Sequence, residues 1–85
     1  SKNVKINITL PRSIDCKSKT YSIEVYDSKT EKLLYKGSAI NGKLTTNIIV
    51  LSTTKKLIVK SIIGTYLFSI SDNNTISFDF NKIYS

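Results

Sequence analysis

Apolar and polar residues alternate one by one along most of this 85-residue chain. Val4, Ile6 and Ile8 alternate with Lys5 and Asn7, which is the period-two pattern of a β-strand with one face in a core and the other in water. Six further segments show the same alternation or a short apolar run rich in β-branched and aromatic residues. The pattern therefore predicts seven strands, near residues 4–10, 21–26, 33–37, 43–51, 56–62, 66–70 and 76–80.

Turn-forming residues separate these segments. Pro11 ends the first strand, Asn41 and Gly42 tolerate the positive φ of a tight turn, and an Asx-rich stretch lies at 72–74. Apolar residues do not recur at helical spacing over any window long enough for a helix. We therefore predict a single all-β domain over residues 1–85, built as a two-sheet sandwich, for which an immunoglobulin-like Greek key is one topology. A single closed barrel of the oligonucleotide-binding type is the alternative architecture.

The segment 48–51 is apolar without alternation, which indicates cover on both faces or a bulge that switches sides. Together with 57–59 and 62–63, it supplies more apolar residues than one face of a thin sandwich needs. We expect some of these residues to lie at a contact surface.

The chain carries 13 Lys and Arg against 6 Asp and Glu, a formal charge of +7 at pH 7. Twelve of the thirteen cations are lysines scattered along the sequence, and Ile, Asn and Ser are abundant. Such a composition is typical of an AT-rich genome, so we interpret the charge mainly as surface solubility. The alternative is a basic face for nucleic acid or another anionic polymer, formed by outward residues of several strands: Lys5, Lys36, Lys43 and Lys60.

Few residues suit catalysis. The chain has no histidine, which removes the commonest general base and the commonest nitrogen ligand for metals. Cys16 is the only cysteine, so it cannot close an internal disulfide or build a structural zinc site. Among the acidic residues we single out Asp27 and Glu31 as a neighbouring pair, and we place both in or beside a solvated loop. We therefore predict no enzyme activity, no metal and no cofactor.

The five tyrosines are candidate stacking platforms for bases or sugar rings. They are Tyr21, Tyr26, Tyr35, Tyr66 and Tyr84. Tyrosine is also a common strand residue that packs across neighbouring strands, and we favour this interpretation. No aromatic pair has the spacing of an RNA-recognition strand, so nucleic acid is the less favoured partner.

Once the strands are placed, the stretch from Tyr21 to Phe80 resembles the carboxypeptidase-regulatory-like and Cna-B-like modules. The similar elements are an opening strand at 4–8, the strand 21–26, Leu34-Tyr35-Lys36-Gly37 followed by Asn41-Gly42-Lys43-Leu44, and a closing strand at 74–80. The chain departs from the family where Ala39-Ile40-Asn41-Gly42 replaces an acidic turn and where Lys55 or Lys56 replaces an aromatic residue. The resemblance implies a prealbumin (transthyretin-like) sandwich and a non-catalytic module of a larger exported or surface-anchored bacterial protein, such as a lipoprotein.

Some Cna-B-like modules form a Lys to Asn isopeptide bond beside a buried carboxylate. Lys5, Glu24 and Asn81 match the order of such residues along the chain. The bond requires its residues inside the core, whereas the alternation points Lys5 away from Val4 and Ile6. We therefore expect no isopeptide bond.

The expected function is a structural or interaction module that presents loops and an unpaired edge strand to a neighbouring domain or protein partner. We place it outside the cell or at the cell surface. No apolar stretch approaches the roughly 18 residues needed to cross a bilayer, so we predict no membrane span. The chain contains no methionine, and we interpret it as a processed form or excised piece with any export signal upstream. The pattern does not indicate an oligomeric state.

Overall fold

The computed structural model describes residues 1–84 of the chain, with side chains described for residues 1–82. The described residues form seven β-strands and one short C-terminal helix, which confirms the predicted all-β class. The elements are β1 (Lys2–Thr9), β2 (Tyr21–Asp27), β3 (Leu33–Ala39), β4 (Lys43–Val50), β5 (Lys56–Ser61), β6 (Gly64–Ser69), β7 (Thr75–Asp79) and α1 (Asn81–Tyr84).

The strands form two sheets, which confirms the two-sheet sandwich over the single closed barrel. The smaller sheet has the order β4-β1-β7 and the larger has the order β3-β2-β5-β6. Strands β1 and β7 run parallel, and the other neighbouring pairs are antiparallel. In immunoglobulin constant domains the first, second, fourth and fifth strands share a sheet. Here the second, third, fifth and sixth share one, so the immunoglobulin grouping is not the topology of this chain.

The core lies between the two sheets and is built by the alternating residues. Val4, Ile6 and Ile8 of β1 are fully buried, and they share one hydrophobic cluster with Ile23 and Val25 of β2. Each such side chain contributes about 1.5 to 3 kcal/mol when it is removed from water. The remaining fully or almost fully buried apolar side chains are those of Leu10, Ala39, Leu44, Ile48, Val50, Leu57, Val59, Ile76 and Phe80.

The hairpin between β3 and β4 carries the chain from the larger sheet to the smaller one. Ile40 and Lys43 exchange backbone hydrogen bonds of 2.9 and 3.1 Å. Between them, Asn41 and Gly42 have φ values of 52° and 78°. Positive φ at both central residues is the geometry that favours an Asn-Gly pair in a two-residue turn, and it confirms the predicted turn.

The apolar segment 48–51 is neither covered on both faces nor interrupted by a bulge. Its strand pairs with β1 without a break in register, from Lys2 opposite Val50 to Thr9 opposite Lys43. Ile48 and Val50 are buried, but Ile49 is 69% exposed and Leu51 62% exposed. The expectation of double cover or a bulge was wrong, because the alternation continues and simply places aliphatic side chains on the outer face. The irregularity in register lies instead between Val25 and Tyr26, where β2 pairs with β3.

Candidate docking face on the four-stranded sheet

The four lysines proposed as a basic face lie on two different surfaces. Lys5 and Lys43 belong to β1 and β4 and are exposed on the outside of the three-stranded sheet. Lys36 and Lys60 belong to β3 and β5 and are exposed on the outside of the four-stranded sheet. Two packed sheets lie about 10 Å apart and their outer faces point in opposite directions. The structure therefore divides the predicted basic face into two pairs of lysines.

On the outside of the four-stranded sheet, Lys36 and Lys60 flank the same carboxylate. Strand register places Glu24 directly between them, opposite Lys36 on one side and Lys60 on the other. The Lys36 Nζ lies 3.8 Å from the Glu24 Oε2. This row of three charges, which we call the charged row, therefore has a net charge of +1.

Tyr26 connects the charged row to its neighbours on the same face. Its hydroxyl donates a hydrogen bond of 2.8 Å to the Glu24 Oε1, and the Lys60 Nζ lies 5.1 Å from the centroid of its ring. The hydrogen bond to Glu24 raises the pKa of the Tyr26 hydroxyl, and partial burial and the nearby negative charge act in the same direction. Tyr26 therefore remains a neutral hydrogen-bond donor at physiological pH, and its ring carries a cation on its face.

A continuous line of apolar side chains runs beside the charged row. The register aligns Leu33 of β3 with Tyr26 of β2, Tyr26 with Ile58 of β5, and Ile58 with Leu67 of β6. Leu33 is 46% exposed and Leu67 58% exposed, while Tyr26 and Ile58 are half-buried. Three strand spacings make this apolar row about 14 Å long.

The apolar row lies between cations. Lys60 borders it on the side of the charged row, and Lys56 borders it on the other side, two residues along β5 from Ile58. Single exposed apolar residues are ordinary on a protein surface, but a contiguous line across a whole sheet is a feature of interaction sites. We define the docking face as the apolar row, the charged row and Lys56.

The four tyrosines whose side chains the structure describes do not form a stacking platform. Tyr21, Tyr35 and Tyr66 are half-buried and pack against the hydrophobic core, as strand residues do. Tyr26 points outward, where it belongs to the docking face. The side chain of Tyr84 lies outside the described residues.

Asp27 is the last residue of β2 and lies beside the β2–β3 loop, as predicted, but the expectation that it is solvated was wrong. Its side chain is only 6% exposed. The Oδ1 accepts hydrogen bonds from the backbone N–H groups of Lys29 at 2.8 Å and Thr30 at 3.1 Å, and the Oδ2 accepts one from the Thr54 Oγ1 at 3.0 Å. The bonds from the Thr30 and Lys29 amides, followed by the bond from Thr54, hold the pKa of Asp27 below its usual value. Asp27 therefore joins the β2–β3 loop to the β4–β5 loop as a structural carboxylate.

A second polar cluster lies at the C-terminal end of β1. The Asn81 side chain accepts a hydrogen bond of 2.8 Å from the Arg12 backbone N–H and donates one of 3.2 Å to the Leu10 carbonyl. The Asn81 backbone N–H donates to the Asp79 Oδ1 at 2.9 Å, and this bond lowers the pKa of Asp79. These hydrogen bonds hold the chain after β7 against the end of β1. We therefore assign the cluster a structural role.

The residues of the suggested isopeptide bond lie apart. Lys5 aligns with Thr75 at the beginning of β7, whereas Asn81 follows the end of that strand. The whole of β7, about 13 Å of extended strand, lies between the two positions. Glu24 lies on the other sheet.

Within residues 1–84, no group of three or more His, Cys, Asp and Glu side chains is arranged to hold a metal ion. In the same part of the chain, no helix has the length and apolar character needed to cross a membrane. No family model, no curated protein and no solved structure matches this chain.

The sequence pattern could have located the docking face only in part. Ile58 lies between the core residues Leu57 and Val59, which is the signal for an outward apolar side chain. Leu67 lies between Tyr66 and Phe68, which pack against the core and give a weaker form of the same signal. Their alignment into one line depends on which strands are neighbours, and that is a property of the fold.

Proposed function

We propose that this domain is a non-catalytic interaction module of an exported or surface-anchored bacterial protein, such as a lipoprotein, and that it docks a partner protein or neighbouring domain through the docking face. The observation that carries the proposal is the apolar row, which crosses all four strands of a solvent-facing sheet between lysines. The location of the parent protein rests on the resemblance to Cna-B-like and carboxypeptidase-regulatory-like modules.

The composition of the face suits a protein partner. Burial of the remaining exposed area of Leu33 or Leu67 would contribute about 1 kcal/mol each, roughly half the value for a fully buried leucine. Tyr26 adds a ring with a hydroxyl and a cation at its face, and aromatic residues of this kind are enriched among the residues that dominate binding energy. The partner that fits is an apolar surface bordered by carboxylates, which would pair with Lys36, Lys56 and Lys60.

An anionic polymer fits this face less well. The phosphate backbone requires several cations in one stripe. Here Glu24 lies between Lys36 and Lys60 and is ion-paired with the former, while Lys5 and Lys43 lie on the other sheet. A carboxylate in the middle of the row would repel phosphates and accept hydrogen bonds from a protein.

A matched pair of substitutions tests the proposal. Peptides selected from a displayed random library against the wild-type domain are measured for binding to Ile58→Thr and Ile49→Thr, which make the same change on opposite sheets. We expect Ile58→Thr to weaken binding at least about tenfold, which corresponds to about 1.4 kcal/mol. Ile49→Thr should stay within about twofold of wild type, a difference below 0.5 kcal/mol.

Equal losses in the two variants, or a loss only in Ile49→Thr, would contradict the proposal. A parallel titration with a single-stranded oligonucleotide tests the alternative function, which is binding of an anionic polymer. Binding that falls steeply with salt and is lost when Lys36 and Lys60 are replaced by alanine would favour the anionic-polymer function instead.

A further inference from the structure

The outer edge of β6 differs from the other sheet edges of the domain. Strand β6 pairs with β5 on one side, and no strand within residues 1–84 pairs with its other side. Its sequence, Gly64 to Ser69, contains no charged residue and no proline. The edge strands β3, β4 and β7 contain Lys36, Lys43 and Asp79. Charges of this kind protect sheet edges from pairing with another chain, and β6 lacks them.

The hydrogen-bonding phase of β6 identifies the backbone groups on its free edge. Ile70 lies opposite Lys55, and its N–H donates to the Lys55 carbonyl at 2.9 Å. In an antiparallel ladder every second residue exchanges both bonds with its partner. Residues 64, 66 and 68 therefore bond to β5. The N–H and C=O groups of Thr65, Leu67 and Ser69 point away from it, toward the free edge.

The unequal size of the two sheets also leaves the inner side of β6 partly open. Four strands face three, so no strand of the described chain, residues 1–84, lies directly opposite β6. The Phe68 ring reaches Phe78 of β7 at 5.1 Å between centroids, yet both rings are only half-buried. On the opposite side of the sandwich, the inward residues Ile48 and Val50 of β4 are buried. An added strand at β6 would cover the exposed part of these rings.

We propose that the free edge of β6 accepts an extended segment of the partner as a fifth strand of the larger sheet, and that this segment alternates apolar with acidic residues. The inference rests on the proposed function and specifies the mode of binding. Backbone bonds to Thr65, Leu67 and Ser69 would supply affinity, and alternate side chains would supply specificity. The apolar side of the added strand would pack beside Phe68, and its acidic side would lie on the outer face of the sheet, beyond Leu67 and near Lys56 and Lys60.

The net positive charge of the chain favours a strand from a different protein over a strand from a second copy of this chain. Each copy carries +7, so two copies repel one another as they approach. Lys60 and Lys56 lie on β5, opposite Thr65 and Ser69. An incoming strand would lie two spacings from β5, or about 10 Å, which lysine and glutamate side chains together can span. Acidic residues on the outer side of that strand would therefore be attracted to the face.

The test uses the isotope-labelled domain and a short peptide in which valine alternates with glutamate. We expect the peptide to shift the amide resonances of Thr65, Leu67 and Ser69, and to slow hydrogen exchange of the Leu67 and Ser69 amides at least tenfold. A peptide in which valine alternates with lysine should bind at least tenfold more weakly. Leu67→Pro should weaken binding at least about tenfold because it removes one edge donor. Leu67→Val keeps that donor and only shortens the side chain, so it should weaken binding by less than about threefold.

If Leu67→Pro does not fold, hydrogen exchange of the wild-type domain still tests whether the peptide adds as a strand. Shifts centred on Tyr26 and Ile58 without slowed exchange at Leu67 would overturn strand addition while leaving the proposed function in place. Concentration-dependent self-association that protects the same amides in the absence of peptide would overturn the choice of partner. Absence of binding at millimolar peptide would overturn the inference, and the library-selected peptides would still test the docking face independently.

Discussion

Asp27 offers the sharpest test of the packing between loops. Replacement by Asn keeps the size of the side chain but removes the charge and one of the two acceptor oxygens. The native carboxylate accepts three hydrogen bonds in a site that is almost fully buried. A hydrogen bond to a charged group contributes about 1.5 to 3 kcal/mol, and the Asn amide can replace part of the set. We therefore expect Asp27→Asn to lower the free energy of unfolding by about 2 kcal/mol.

Urea denaturation followed by far-ultraviolet circular dichroism measures this loss, since the chain has no tryptophan to report by fluorescence. With a slope of about 1 kcal/mol per molar urea for a domain of this size, the midpoint should fall by about 2 M. Asp15→Asn is the matched control, because Asp15 is exposed and its side chain bonds to near neighbours in the sequence, Ser18 among them. A loss below 0.5 kcal/mol, or a loss equal to that of the control, would refute the structural role of Asp27.

The stability of the domain should also depend on pH through the Asp27 carboxylate. The pKa of Asp27 is lower in the folded domain than in the unfolded chain, whose value is about 3.9. The stability that the Asp27 carboxylate adds to the folded domain is therefore fully present above the unfolded pKa. It is lost as pH falls through the folded pKa. Wild type should lose more stability than Asp27→Asn between pH 7 and pH 3. An equal loss in both proteins would show that other carboxylates, such as Asp79, account for the acid sensitivity.

Three further outcomes follow from the structure. In urea denaturation, Ile6→Val should lower the free energy of unfolding by about 1 kcal/mol, because it shortens a buried side chain. Ile49→Val shortens an exposed side chain and should lower it by less than about 0.5 kcal/mol. Gly42→Ala should destabilise the domain by about 1 kcal/mol or more in the same assay, since φ is 78° and a Cβ would lie 3.0 Å from the sulfur of the single cysteine. Glu24→Gln should return the pKa of Tyr26 toward its usual value in an ultraviolet titration, because the carboxylate that raises it is gone.

The strands could be predicted from the sequence because their main determinant is local. An alternating segment such as 4–10 has its face toward the core fixed by its own residues, and the structure confirms all seven segments. The pattern fails at 48–51 for a physical reason. A period-two signal needs polar residues on the outer face, so an exposed Ile49 is indistinguishable in sequence from a residue covered on both sides.

The candidate site was less predictable because it depends on long-range pairing. Glu24, Lys36 and Lys60 are far apart in sequence, and only the order β3-β2-β5 brings them side by side. For the same reason the sequence could not show that Lys5 and Lys43 lie on a different sheet from Lys36 and Lys60. The burial of Asp27 was missed because it depends on Thr54, which approaches from another loop.

Cross-saturation from a library-selected peptide to the labelled domain tests the proposed docking face most directly. The attenuation of each amide signal reports which residues touch the peptide. We predict the strongest attenuation at Tyr26, Ile58 and Leu67, in a line across the four-stranded sheet. Attenuation centred on Lys5 and Ile49 of the other sheet, or confined to the cluster around Asn81, would contradict the account.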